Sequence, residues 1–343
     1  MRANFLFGPG QVALRQVADP VLAAPTDAIV RITASCICGS DLHPYRDDAQ
    51  HPAGRPIGHE FIGVIEQVGD AVRTVAEGDF VIAPFTVSCG VCQFCAEGLS
   101  TSCLDAGYWG ADGSAAQAEA IRVPSADGTL VRVPGPVDEA LYPSLLTLSD
   151  VYATGYHAAV SAGVGPGDTV SVIGDGAVGL LAVLSARLLG ASQVILMGRH
   201  HHRTELGRRF GATDVVAERG AEGISRVREL SGGHGTSKVL EAVGLLPAYE
   251  QALGIVRDGG VISRVGVPQY TTGPVGRELF GRNLTLTGGV APVRKYIPEL
   301  LPGVLAGTVN PGLVFDRVLP LEEIAEGYGL MDRREAIKVM IRG

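Results

Sequence analysis

Four cysteines, Cys89, Cys92, Cys95 and Cys103, stand in the spacing C-x2-C-x2-C-x7-C. Thiolates that bind Zn²⁺ meet at tetrahedral corners about 2.3 Å from the ion, and short turn-forming spacers allow that without strain. Disulfides are the competing reading. Cys92 and Cys95 share one tight turn, however, and a chain of 343 residues needs no staples. The run therefore predicts a closed structural zinc site, which shapes a lobe at about 88–104 and does no chemistry. A catalyst must lie elsewhere. Upstream, SCICGSDLH (residues 35–43) and IGHE (57–60) offer Cys38, a thiolate, and His59, an imidazole, with Glu60 beside it. Either of the first two could be an ordinary buried residue. Together, on elements joined by a polar loop, they suggest two ligands of an open zinc site. Cys36 stands two residues before Cys38 and is read as a small buried hydrophobe.

A third constellation is built for phosphates. The apolar run Val170–Ile173 leads into Gly174-Asp175-Gly176-Ala177-Val178-Gly179, a G-x-G-x-x-G followed by an apolar helical stretch. Gly174 permits the tight turn, Gly176 lets backbone approach a pyrophosphate, and Gly179 lets helix and strand pack closely. The helix N-terminus supplies free N–H groups to the phosphates. About twenty residues on, an NAD site presents Asp or Glu to the ribose 2′-hydroxyl. This chain has Gly198-Arg199-His200-His201-His202-Arg203 there. Gly198 leaves space, and Arg199, His200 and Arg203 offer donors to a 2′-phosphate, for which the planar guanidinium is well shaped. NADP is the expected cofactor and NAD the less favoured one. Three consecutive histidines point apart, so they are not read as a metal site.

These residues require two kinds of scaffold. Up to about Asp150 short apolar runs (Ala28–Ile32, Gly63–Val68, Phe80–Ala83) are separated by Gly, Pro and Asp turns, the pattern of a β-rich domain. Beyond it, strands Thr169–Ile173, Gln193–Met197, Val215–Val216, Val239–Glu241 and Val261–Val265 alternate with helical stretches Val178–Leu189 and Arg203–Phe210. That alternation predicts an α/β, doubly wound parallel sheet. It fades near Asn283, giving domains of 1–150 with 286–343, and of 151–285. Forty-seven glycines without period speak for tight turns and close backbone approach to ligands. The net charge of −8, without a Lys/Arg stripe, excludes nucleic acid as a partner. Residues 169–190 mimic a membrane span, but Asp175, Arg187 and the central glycines fit strand-turn-helix better. The N-terminus lacks the apolar stretch of a signal peptide, so a cytoplasmic protein with reduced thiols is expected.

In CGSDLH, GHE, the four-cysteine run, GDGAVG and VLEAVG (Val239–Gly244), occurring in that order over almost the whole chain, the sequence resembles the zinc-containing medium-chain dehydrogenase/reductase family. The resemblance is to its alcohol dehydrogenases, in the bacterial branch whose third ligand is aspartate. It implies a Rossmann domain, a GroES-like catalytic domain, and one catalytic and one structural zinc. Cys38 and His59 match the first two catalytic ligands. The stretch Leu148–His157 has no Cys and offers Asp150 as the third. Glu60 matches a carboxylate that can approach the metal, and Ser40 and His43 match a proton relay, Ser40 also touching substrate. Asp41 is read as orienting His59. Thr154 lies where the family contacts nicotinamide, and Ala177, Val178, Val265, Gly266 and Val267 extend the cofactor set. Trp109 suggests an apolar substrate wall. The implied function is hydride transfer between an alcohol, secondary in type, or its carbonyl, and NADP(H), in a homodimer or homotetramer. A polyol or sugar dehydrogenase and a formaldehyde-dehydrogenase-like enzyme share these motifs. A non-catalytic zinc- and nucleotide-binding protein is the alternative of another class.

Overall fold

A computed structural model describes residues 1–110 and 114–343. The chain forms two units, Met1–Ala153 with Pro292–Gly343, and Thr154–Ala291. In the first, the long strand Ala28–Cys36 is central. Phe61–Val68 pairs antiparallel along one of its edges. The other edge is shared, Ala120–Val123 running beside residues 28–31 and the C-terminal strand Lys338–Arg342 beside residues 34–36. The strand therefore runs four residues past the expected Ile32, because Ala34–Cys36 gains the C-terminal strand as a partner. Val30, Ile32, Phe61, Ile65, Val81, Ile121 and Val123 fill the core on one side. Each such side chain contributes about 1.5–3 kcal/mol on burial.

A second cluster bears on the site. Ile37, Leu42 and Ile57 pack with Ile324, Tyr328 and Val339. The residues flanking Cys38 and His59 are thus anchored in one apolar cluster, which also holds the helix Ile324–Asp332 and the C-terminal strand. Loops that would otherwise wander are pinned at their apolar ends.

The second unit carries six parallel strands: β1 (Thr169–Ile173), β2 (Gln193–Met197), β3 (Asp214–Val216), β4 (Thr236–Glu241), β5 (Val256–Arg264) and β6 (Thr285–Gly288). Their order is 3-2-1-4-5-6, the Rossmann arrangement. Between β1 and the helix α1 (Ala177–Leu188), Gly174 adopts φ +117°, a conformation that side chains disfavour. A Cβ on Gly179 would lie 2.0 Å from Gly174 O, so only glycine lets helix and turn meet. Residues 169–190 are thus strand, turn and helix. Among the described residues no helix is long and apolar enough to cross a membrane.

In this unit too, element starts differ from expectation. Helix α2 (His201–Arg209) opens two residues before Arg203, since the N–H groups of Arg203 and Thr204 reach back to His200 O at 2.9 and 3.0 Å. Strand β5 begins at Val256, five residues early, and crosses Asp258-Gly259-Gly260 with a register shift against β4. Polar and glycine residues in a bulged strand conceal the alternation on which the reading relied.

Candidate active site and metal centres

Cys38 follows the end of the central strand, His59 and Glu60 immediately precede Phe61–Val68, and Asp150 ends the turn before helix Val151–Ser161. Cys38 Sγ lies 3.7 Å from Asp150 Oδ2, and His59 Nε2 lies 3.5 Å from the same oxygen. With a Glu60 oxygen these donor atoms all fall within 4.8 Å of one another. Cys38, Glu60 and Asp150 are buried. Burial pushes the Cys38 thiol above its ordinary value, and the negative charge of Glu60 pushes it further. Burial alone would lower the His59 pKa, but the charges of Asp41 and Cys38 and hydrogen bonds to Asp150 and Asp41 hold it well above the usual range. Sulfur, imidazole nitrogen and carboxylate oxygen are a set that suits zinc. Glu60 Oε2 is buried with no hydrogen-bond partner among the described residues, an acceptor that a cation would satisfy. The residues fit the metal that the sequence implies.

Asp41 organises this cluster. Its Oδ1 lies 3.2 Å from His59 Nδ1, which leaves Nε2 to face Asp150. Its Oδ2 accepts the Cys38 N–H at 2.9 Å and Gln117 Nε2 at 3.4 Å. One carboxylate therefore sets the imidazole's orientation and the backbone carrying the thiol. Gln117 is in turn fully committed: Nε2 also donates to Cys36 O, and Oε1 accepts from Asn4 Nδ2 and the Tyr328 hydroxyl. Behind the cluster, Lys338 Nζ donates to Glu60 Oε1 at 2.7 Å and to Ile37 O at 3.3 Å, with both charged side chains fully buried. Burial opposes the Lys338 charge, but Cys36 and Glu60 outweigh it and raise its pKa well above the usual value. Cys36 is buried, and desolvation pushes its thiol up, as suits a small apolar residue.

Ser40 and His43 are half-buried on one turn, the His43 N–H donating to Ser40 O at 3.2 Å. Burial, helped by Arg46, lowers the His43 pKa. Trp109 packs edge-on against Phe61, with ring centroids 5.1 Å apart, and donates from Nε1 to Pro84 O. Phe85, not expected from sequence, presents its ring edge-on to His59 at 6.4 Å.

The four lobe cysteines also bring their sulfurs within 4.8 Å of one another. The backbone holds them as anion acceptors: Cys89 N–H points at Cys103 Sγ (3.2 Å) and Cys92 N–H at Cys89 Sγ (3.4 Å). Backbone N–H groups of Leu104 and Cys95 lower the Cys92 pKa to about 6, whereas burial and the neighbouring Cys92 raise Cys95 to about 12.

In the second unit, a Cβ on Gly176 would meet nothing within 4 Å, so the turn has open space in front of the α1 N-terminus, where Ala177 and Val178 stand. Val265 and Gly266 donate their N–H groups to Glu241 O, and the Glu241 carboxylate in turn accepts from Val243 and Gly244. Val267 is exposed, and Thr154 is buried in its helix. At the end of β2, Arg199 is exposed, His200 half-buried and Arg203 buried, while His201 and His202 face solvent. The space beside Gly198 is filled from within the chain: a Cβ there would lie 2.5 Å from Asp175 Cβ.

Comparison with known proteins gives a consistent frame. Residues 24–135 match the alcohol dehydrogenase GroES-like domain and residues 177–305 the zinc-binding dehydrogenase domain. Zinc-type alcohol dehydrogenase B of Aspergillus flavus is 34% identical over all of this chain and 81% of its own length. The structure of alcohol dehydrogenase TADH from Thermus sp. ATN1 superposes with TM-score 0.91 at 35% identity, covering 100% of this chain and 99% of that one. A Sinorhizobium meliloti chain ascribed to the zinc-binding dehydrogenases, solved bound to NADP, superposes with TM-score 0.82 at 26% identity, covering 100% of this chain and 99% of that one.

The buried ion pair generates a prediction. Lys338→Met leaves Glu60 charged without its partner and should lower unfolding stability by about 3–5 kcal/mol. Adding Glu60→Gln should restore most of that loss. Urea denaturation of the two variants checks it, and a single-variant loss below about 1 kcal/mol would contradict a charged pair.

Proposed function

The chain belongs to the zinc-dependent alcohol dehydrogenases of the medium-chain dehydrogenase family, and from that premise we propose that it transfers hydride between a small secondary alcohol, or its ketone, and NADP(H). One observation carries the reading: the convergence of Cys38 Sγ, His59 Nε2 and Asp150 Oδ2 in one buried cluster. We assign these three as catalytic zinc ligands and Cys89, Cys92, Cys95 and Cys103 as holders of a structural zinc, two ions per chain.

Zinc held there would supply Lewis-acid polarisation of the substrate oxygen, and nicotinamide would supply the hydride acceptor. The protein's own part is positional and protic. Asp41 keeps a proton on His59 Nδ1 and aims Nε2 inward. The Ser40 hydroxyl accepts the alcohol proton while giving up its own to His43, which releases it outward. Burial keeps His43 neutral, hence able to accept a proton near neutral pH. Lys338 holds Glu60 through Oε1 and leaves Oε2 turned to the ligand set. Trp109 and Phe85 form an apolar wall that favours a hydrocarbon substituent over a polyol chain.

For the cofactor, Gly174, Gly176 and Gly179 with the N–H groups of Ala177 and Val178 are assigned to the pyrophosphate. Thr154 and Val265–Val267 are assigned to the nicotinamide side. Arg199, His200 and Arg203 are assigned to the 2′-phosphate, since the end of β2 itself carries no carboxylate. Six free cysteines suit a reducing compartment, and we place the protein in the cytoplasm. Strand β6 ends its sheet, with Val290 exposed beyond it, and we propose a homodimer or homotetramer that pairs there.

Three measurements follow. Asp150→Asn keeps size and capping ability but not charge. It should fold normally, lower zinc from two ions per chain towards one, and cut kcat by about a hundredfold or more with alcohol and NADP. Full zinc and wild-type turnover would remove Asp150 from the ligand set. Arg199→Asp should shift the NADP/NAD ratio of kcat/KM towards NAD by about tenfold or more, because a carboxylate repels the phosphate and accepts from the ribose hydroxyl. Equal or better use of NAD by the unaltered enzyme would refute the NADP preference. Light scattering at micromolar concentration should give a dimer or tetramer, and a stable 35.6 kDa monomer would reject the pairing.

A further inference from the structure

The end of β2 is not the carboxylate-free site that its own residues describe. Asp175, from the glycine turn after β1, reaches across to it. Asp175 Oδ2 accepts the N–H of Arg199 at 3.0 Å, the N–H of His200 at 3.1 Å and sits 2.8 Å from His200 Nδ1. The Arg203 guanidinium lies 4.0 Å from Oδ1. Gly198 makes this approach feasible, since any side chain there would collide with Asp175. Two of the side chains assigned to a 2′-phosphate, His200 and Arg203, therefore already face an anion belonging to the protein. Burial would raise the Asp175 pKa, but the His200 backbone and ring hydrogen bonds and the nearby Arg203 hold it below its ordinary value. Those same contacts favour its ionised form.

We propose that Asp175 is a cofactor-specificity residue that limits discrimination between NADP(H) and NAD(H), supplying from the glycine turn the carboxylate that the end of β2 lacks. Two effects act in one direction. A 2′-phosphate entering the cluster meets a fixed negative charge and must share His200 and Arg203 with it, which weakens its hold. A ribose 2′-hydroxyl meets an anionic acceptor, which favours NAD. Arg199, exposed and bound to Asp175 only through its backbone N–H, keeps its guanidinium for a phosphate. The result is a cofactor site moderated by an internal counter-charge. This inference rests on assigning the end of β2 to the adenosine ribose, but not on which cofactor the unaltered enzyme prefers.

Asp175→Asn is the direct test, because an amide oxygen can still accept the three N–H donors while the charge is removed. Calorimetric titration of the zinc-loaded protein with NADP⁺ and with NAD⁺ should show NADP⁺ tighter by about tenfold relative to wild type and NAD⁺ unchanged or weaker. A purely structural role would instead change both affinities together and lower the melting temperature. That result, or NADP⁺ binding unchanged or weakened, overturns the proposal. Should Asp175→Asn melt early, Asp175→Ser, which also removes the charge and keeps a hydroxyl acceptor, must show the same rise in the ratio of the two affinities. The comparison is between variant and wild type, so it stands even if wild type binds NAD⁺ better, an outcome that would refute the NADP preference alone.

Discussion

Acidic donors cannot be packed against one another in a dry interior unless positive charge is supplied. Cys38, Asp150 and Glu60 place a thiol and two carboxyl groups in one buried cluster. In their ionised forms these are three anions, and Lys338 contributes one ammonium. With His59 neutral, as a metal ligand must be, two negative charges remain, the amount one divalent cation carries. Asp41, set further back, is satisfied by N–H donors and faces the other side of the imidazole. The cluster therefore suits a divalent cation, the zinc we propose for it. Without a cation the thiol would stay protonated, in line with its raised pKa.

Much of the first unit serves that constraint. The ionisable residues come from positions 38, 60, 150 and 338, far apart in sequence, and the fold brings them together. The central strand pairs over residues 34–36 with the C-terminal strand that carries Lys338. The same apolar cluster grips Ile37, Ile57 and Val339, the neighbours of Cys38, His59 and Lys338. Apolar packing therefore fixes backbone positions within hydrogen-bond tolerance, and the polar network of Asp41, Gln117 and Tyr328 then sets side-chain orientation. The second unit solves a separate problem with glycine: one left-handed turn and one missing Cβ at Gly179 bring a helix end to the tip of β1.

What was legible in the sequence was local. The four-cysteine run, the glycine turn and the buried parallel strands announce themselves through spacing and periodicity, because the forces behind them act over a few residues. Cys38 and His59 are legible as two ligands of an open site, Asp150 joins them only through family resemblance, and the fold gives that grouping its geometry. Lys338, Gln117 and Phe85 escaped notice. Each acts on partners far away in sequence, and no motif marks them, although a lysine opening the apolar strand KVMI was a signal that could have been used. Asp175 lies inside the glycine motif, whose spacing marks only the positions that must be small. Its reach to Arg199 and His200 depends on Gly198, which had been read as room for a ligand. The early start of α2 and the bulged start of β5 were missed where a backbone hydrogen bond or a bulge overrode the pattern.

The central claim is that two chemically different zinc sites are built into the chain, one all-sulfur and one of mixed donors. X-ray absorption at the zinc edge of freshly purified, chelator-free protein, with metal content measured on the same sample, reads this directly. The account predicts two zinc ions per chain and a mean first shell in which sulfur from five cysteines dominates. Distinct nitrogen and oxygen scattering from His59 and Asp150 should accompany it, at the short distance of about 2.0–2.2 Å expected for such ligands. One zinc per chain with a shell of sulfur alone would contradict it.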